Sequence, residues 1–265
     1  MKAYLPILLL STGLSFPALA QMYVGPVVGG QLSWTRFDDP DLRNTYDANP
    51  VPGYMAGLSA SLKVRKRFFL NAALVYSTKG RKLEGGEDPL FRNRTRYDFI
   101  EIPVIYAVDF IGQLGSGKTF KYFFGAGPNI SYWMGGKGTL YNTDLHENAS
   151  YSVEDMKYRV SFGELSGDEQ VMAVSDPNRL QLGLNVATGL VLEPRPRERF
   201  VITLRYELGH SFLSRTGSGA FAPTVYEENL QARNKGLRLS VSWLTDLRLE
   251  DRKRGKSTSR VRGKR

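Results

Sequence analysis

The sequence predicts an all-β protein, an antiparallel up-and-down transmembrane β-barrel of about eight strands with long extracellular loops and short periplasmic turns. Three observations predict it. Residues alternate with period two along most of the chain, large apolar side chains on one face and Gly, Ala, Ser and Asn on the other. The connections between these segments alternate between long and short. The first twenty residues read as an export leader.

The leader comes first. Lys2 supplies a positive start, Leu5 to Phe16 an apolar stretch, and Ala18-Leu19-Ala20 a small-residue cleavage site before Gln21. The apolar run is shorter than the ~20 residues a membrane-crossing helix needs, and no later segment reaches that length either. The chain has 265 residues, a formal charge of +10 and no cysteine. An exported chain of this kind has neither disulfides nor a lipidated cysteine. The expected division is residues 1–20 as leader, 21–247 as barrel and 248–265 as a basic tail.

The strands follow in order. Tyr23 to Phe37 and Gly53 to Val64 carry weaker alternation. In Phe68 to Lys82, Phe68, Leu70, Leu74 and Tyr76 oppose Asn71, Ala73, Ser77, Lys79 and Arg81. In Tyr97 to Phe110, Ile100, Ile102, Val104, Tyr106 and Val108 oppose Glu101, Pro103, Ala107 and Asp109. Thr119 to Met134, Arg179 to Glu193, Phe200 to Phe212 and Gly236 to Thr245 repeat the pattern. Each is long enough for the ~9–11 residues of a tilted membrane strand. The long connections are Asp38–Val51, Leu83–Thr95, Gly135–Asn178 and Arg215–Asn234; the short ones are Arg65–Arg67, Gly112–Lys118 and Pro194–Arg199. An even strand number places both termini in the periplasm.

A soluble barrel or sandwich also has an apolar face, but turns it toward a core. Here that face carries Leu, Ile, Phe and Tyr on nearly every strand, too much volume for a closed eight-stranded interior. The face must therefore meet lipid. Glu101 then points into the lumen, where a charge is tolerated only if paired or wet. Lys79, Arg81, Arg205, Glu207 and Arg238 share that face. The expectation is an ion-pair plug of Glu101, Arg205, Glu207 and Lys79 that fills the barrel and does not conduct.

Several strands resemble those of a known family. FIEIPVIYAVDF is similar to the Leu-Glu-Ile-Pro strand of the PorT-like outer-membrane β-barrels of the Bacteroidota. FFLNAALVYSTKGRK resembles their strand ending Tyr-Ser-x-x-Gly, YFFGAGPNISYWMGG their Gly-x-Gly-Pro strand, and LRYELGHSF their Arg-Tyr-x-x-Gly strand. The motifs span Val24 to Thr245. The resemblance implies service in type IX secretion or gliding. The chain departs from the simplest pattern in its long third loop and its basic tail. Asn234, Gly236, Leu239 and Val241 resemble the terminal signal read by the barrel-insertion machinery, although about twenty residues follow Trp243.

Catalytic chemistry is sparse, and no cofactor is expected. His210 and Ser211 are sequence neighbours, so on a strand they face opposite ways and cannot share a proton. His146, among Asp144 and Glu147, lacks the spacing of a metal site. Gly135-Gly136-Lys137-Gly138 lacks the spacing of a phosphate loop and reads as a strand exit. The third loop is net acidic and the second basic, through Arg81, Lys82, Arg92, Arg94 and Arg96. Both read as solvated loops or as contacts to lipopolysaccharide phosphates or a surface partner.

The tail, RLEDRKRGKSTSRVRGKR, is too polar to bury a core and is expected to be disordered alone. Export removes nucleic acid as its partner. Arg252, Lys253, Arg254, Lys256, Arg260 and Arg262, with Arg65, Lys66 and Arg67 of the first short turn, form the expected contact to inner-leaflet headgroups or to a periplasmic or lipoprotein partner. Near an anionic surface each basic residue contributes about 1 kcal/mol. The function expected is a non-enzymatic anchor or accessory subunit of an envelope complex. The alternatives are a small porin-like channel and an outer-membrane lipid-modifying enzyme.

Overall fold

The computed structural model describes residues 21–247, apart from 87, 116, 149, 151–153, 165–169 and 216. The leader and the basic tail, with Arg252, Lys253, Arg254, Lys256, Arg260 and Arg262, lie outside the described residues.

Eight long strands form the frame: β1 (Met22–Phe37), β2 (Tyr46–Arg65), β3 (Phe68–Gly85), β4 (Arg92–Leu114), β5 (Lys118–Tyr141), β8 (Leu180–Arg195), β9 (Glu198–Phe212) and β12 (Ala232–Asp246). Each pairs antiparallel with the next, β5 pairs with β8, β9 with β12, and β12 returns to β1. The ladder therefore runs round through eight strands and comes back to the first. The short connections from β2 to β3, β4 to β5 and β8 to β9 lie at the same end as Tyr23 and its partner Asp246. We refer to this as the terminal end, and to the other as the capped end.

The alternation sorts side chains as lipid solvation requires. Along β4, Glu101, Ile105 and Ala107 are buried while Ile100, Ile102 and Tyr106 are exposed. Leu58, Leu74, Leu182, Leu204 and Leu239 are exposed in the same way on other strands. In water these side chains would lose the stabilisation that burial provides; facing acyl chains they do not. Aromatic rings border the band on both sides. Trp34, Tyr54, Tyr76, Tyr132 and Tyr206 lie toward the capped end; Phe68, Phe110, Phe120, Tyr122 and Trp243 lie toward the terminal end. Glycines on the inner face let neighbouring backbones approach closely. A Cβ on Gly127 would sit 2.0 Å from the carbonyl oxygen of Val104.

The expectation of about eight strands separated by solvated loops needs correction at the capped end. Twelve strands are described: β6 (Met156–Phe162), β7 (Val171–Val174), β10 (Ser218–Phe221) and β11 (Glu227–Asn229) lie within the segments read as long loops. β3, β4 and β5 also run well past their expected ends. Above Tyr132, β5 leaves β8 and pairs with β6. β6 then pairs in parallel with β7, while β7 pairs antiparallel with β10, and β10 antiparallel with β11. The two short helices, Pro40–Thr45 and Thr143–Glu147, begin at the capping side chains Asp39 and Asn142.

This upper sheet encloses a core of its own. Phe91, Trp133, Leu140, Leu145, Met156, Met172, Leu213 and Leu230 are buried together above the barrel mouth. The sheet forms because MKYRVSF alternates Met, Tyr and Val inward against Lys, Arg and Ser outward. The four residues of VMAV are all buried.

Candidate functional site

The inner face carries three ionic layers. The middle layer is centred on Glu101. Arg238 donates to both Glu101 oxygens at 2.8 Å and also to Glu207. Lys79 Nζ lies 3.1 Å from Glu101 and 2.6 Å from Glu207. Asn129 donates to Glu101 at 3.1 Å and to Glu207 at 3.0 Å, and Ser77 donates to Glu101. Two carboxylates thus face two cations, and two polar donors fill remaining lone pairs, which is the condition for holding charge away from water. Lys79 Nζ also lies 4.8 Å from the ring centre of Phe99.

Three of the four residues expected in this network meet: Lys79, Glu101 and Glu207. The fourth, Arg205, has no carboxylate within 4 Å among the described residues. Its guanidinium lies 3.8 Å from the Met55 sulfur and lines a cavity of about 70 Å³ with Thr203, Ser59 and Asn71. The reason is register. Arg205 stands directly opposite Arg238 on the neighbouring strand, whereas Glu207 is opposite Gly236 and so diagonal to Arg238. Arg238 therefore forks between the two carboxylates, and Arg205 is left one inward step nearer the terminal end.

The second layer closes the mouth. Arg81 pairs with Glu228 of β11, and both are fully buried. Asn93 also donates to Glu228 and accepts from Tyr158 at 2.8 Å; Thr95 shares a 2.6 Å hydrogen bond with that phenol. Burial pushes the Tyr158 phenol well above its ordinary range, so it stays a neutral donor. Tyr226 is raised for the same reason. Arg81 was legible as the next inward step after Ser77 and Lys79. Glu228 was not, because it sits in a three-residue strand inside a connection with no readable period.

The third layer lies near the terminal end. Arg199 donates to Asp109 at 2.8 Å, lies 3.5 Å from Glu193, and packs on Phe69 at 4.2 Å and Tyr23 at 5.1 Å. It accounts for Asp109, the second carboxylate of the strand YDFIEIPVIYAVDF. Ile105, Ala107, Phe123, Ala187 and Val191 fill the lumen between the lower two layers.

The other sequence candidates are placed as follows. Arg65, Lys66 and Arg67 are exposed at the terminal end. His210 is exposed, and Ser211 Oγ accepts from the amide of Leu182 at 2.9 Å. His146 Nδ1 lies 2.7 Å from the Tyr141 hydroxyl, within the capped end. Arg92 pairs with Asp155 of the acidic connection at 2.8 Å. Asp88 accepts from the Thr143 amide and hydroxyl, both at 2.7 Å, and from the Leu90 amide. Burial opposes its charge, but these donors outweigh burial and hold the carboxyl below its ordinary range.

A strand ring with an apolar outer band, aromatic borders and a polar filled interior defines an outer-membrane-type β-barrel. The sequence match is of the same kind. Residues 17–211 match the model of the outer membrane protein beta-barrel domain, and the chain belongs to that family of outer-membrane barrels. A search of curated protein sequences gives no match.

Among solved structures, the chain is similar to Neisserial surface protein A, with 13% identity, coverage of 85% of this chain and 97% of that one, and a TM-score of 0.37. It is similar to the outer membrane protein OprG from Pseudomonas aeruginosa, with 11% identity, coverage of 86% and 94%, and a TM-score of 0.41. It is also similar to Ail, the attachment invasion locus protein of Yersinia pestis, with 10% identity, coverage of 85% and 98%, and a TM-score of 0.33. The family assignment rests on the sequence match and not on these distant likenesses.

Proposed function

We propose that this chain is a closed, non-conducting outer-membrane barrel that anchors or assists an envelope complex, with its capped end outside the cell and its terminal end in the periplasm. The observation that carries the reading is the middle layer. Lys79, Glu101, Glu207 and Arg238 satisfy one another across the lumen, and a conducting path would have to break a neutral, hydrogen-bonded group of four. The Arg81–Glu228 layer and the core of the cap lie above it. Orientation follows the asymmetry of such barrels, with short turns on the periplasmic side and long connections outside.

With the bore filled, contact with partners falls to the two ends. At the terminal end the exposed Arg65, Lys66 and Arg67 would act with the basic tail as a handle for an acidic periplasmic or lipoprotein partner. The strand resemblance to PorT-like barrels favours a complex of the type IX secretion kind.

Two measurements test this. In planar bilayers the purified chain should give no discrete conductance steps; regular single-channel steps would replace the anchor with a channel. Mild crosslinking in native membranes, beside a version ending at Leu247, should recover a periplasmic or lipoprotein partner with the full chain alone. Recovery of no partner by either version would remove the accessory role. An altered lipid A profile on overexpression, lost in His210→Ala, would instead support a lipid-modifying enzyme.

A further inference from the structure

One surface feature is not used by the filled lumen. On the outer face of the upper sheet, Arg96 of β4, Lys137 of β5 and Arg159 of β6 stand directly opposite one another across three neighbouring strands. The next row outward holds Arg94, Thr139 and Lys157 in the same register. The five cations border a groove of about 530 Å³. No carboxylate among the described residues lies within 4 Å of any of them, although Arg92, two residues from Arg94, takes Asp155. Among the described residues, the Arg96 side chain donates one long bond, 3.4 Å to the Pro52 carbonyl. On the same face, two residues from Arg96, the Asp98 carboxylate accepts from the Tyr76 hydroxyl at 2.7 Å and pairs with none of the five cations. Like charges directly opposite on a sheet destabilise it, so a row of three that no described carboxylate pairs with is an arrangement that an anion would relieve.

Its height in the molecule says which anion. The lipid-facing band runs up to Ile100 on β4 and to Tyr132 and Met134 on β5, with Leu180 beside Tyr132 on β8. Arg96 is four residues beyond Ile100, about 13 Å along a strand and about 9 Å in height at a 45° tilt. An arginine or lysine side chain spans most of that height, which brings its charge to the headgroup level directly above exposed apolar side chains. A ligand filling this place carries phosphate above and acyl chains below.

We propose that the groove of Arg94, Arg96, Lys137, Lys157 and Arg159 binds the phosphate groups of outer-leaflet lipopolysaccharide, with its acyl chains against Ile100, Tyr132 and Leu180. The proposal rests on the orientation argued above. Guanidinium forks from Arg96 and Arg159 suit a phosphate bidentately, and Lys137 between them adds a point charge.

The test uses the full chain in detergent micelles with bisphosphorylated lipid A as probe, retention being read by native mass spectrometry. The wild type should retain it. The triple variant Arg96→Ala/Lys137→Ala/Arg159→Ala should bind at least tenfold more weakly. A control triple, Arg65→Ala/Lys66→Ala/Arg67→Ala at the terminal end, should bind like wild type. Fully dephosphorylated lipid A should not be retained.

Removing like charges does not threaten folding, and an unchanged heat-dependent gel shift checks this for each variant. Equal retention by the groove variant overturns the proposal, as does equal retention of the dephosphorylated lipid. A soluble polyphosphate such as inositol hexakisphosphate that binds as tightly as lipid A overturns the lipid assignment. Orientation has its own readout, since the chain lacks cysteine. Ser161→Cys, exposed on β6, should react with an impermeant maleimide on intact cells. Labelling without lipid binding overturns the groove alone; labelling only after the outer membrane is opened overturns the orientation and the lipid assignment with it.

Discussion

Arg238 and Arg205 face each other across one rung of the ladder, both inside the lumen, and should respond oppositely to the same substitution. Arg238→Met removes three charged contacts of the middle layer, two to Glu101 and one to Glu207. Two buried carboxylates are then left to share the Lys79 cation, with Ser77 and Asn129 as neutral donors. Breaking a buried ion pair from one side costs about 3–5 kcal/mol, and at about 2–4 °C per kcal/mol the thermal transition should fall by roughly 6–20 °C. Arg205→Met removes a buried charge that has no carboxylate within 4 Å among the described residues. It should leave the transition in place or raise it. Thermal unfolding in micelles, followed by fluorescence of the buried Trp133 and by gel mobility, reads both variants. The reasoning fails if Arg238→Met melts with the wild type, or if Arg205→Met loses as much as Arg238→Met. Glu101→Leu supplies a third point, since it leaves Lys79 and Arg238 sharing Glu207 and should also melt early.

Other parts of the molecule give further expectations. Arg81→Met leaves the Glu228 carboxylate buried and unpaired, so trypsin should cut at the exposed Arg215 many times faster while the barrel's gel shift is retained. The Asp88 carboxyl is held below its ordinary value by the Thr143 and Leu90 donors. Its contribution should be complete above about pH 4 and lost as pH falls through the lowered value. Amide exchange over Thr143–Leu145, corrected for intrinsic rate, should show that loss, and Asp88→Asn should flatten the profile. Gly127→Val places a Cβ 2.0 Å from the Val104 carbonyl oxygen, so β4 and β5 must part and the yield of heat-modifiable barrel should drop sharply.

The barrel was readable because lipid and lumen impose opposite demands on successive residues. Every second position from Ile100 to Phe110 must be apolar, and that leaves a period of two in the sequence. The middle layer was readable for the same reason, since Lys79, Glu101, Glu207, Arg205 and Arg238 all sit on inward steps. Which arginine would take the carboxylates was not readable. That depends on register between β9 and β12, and one inward step separates a forked partner from an idle one. The cap was hidden for a different reason. Its strands are three to seven residues long, two of them meet in parallel, and its core joins the ends of β1, β3, β4, β5 and β12 to residues of the connections. None of this leaves a local period, so the acidic and basic runs dominated the reading although Arg81 is fully buried.

The cap core takes Phe37 from β1 and Ala232 from β12, residues far apart in the chain that stand opposite each other only where the ring closes. One wall of the lid is therefore the closing seam of the barrel itself. A chain with β1 and β12 apart would lack that wall, so the lid is complete only in a molecule whose ring has shut.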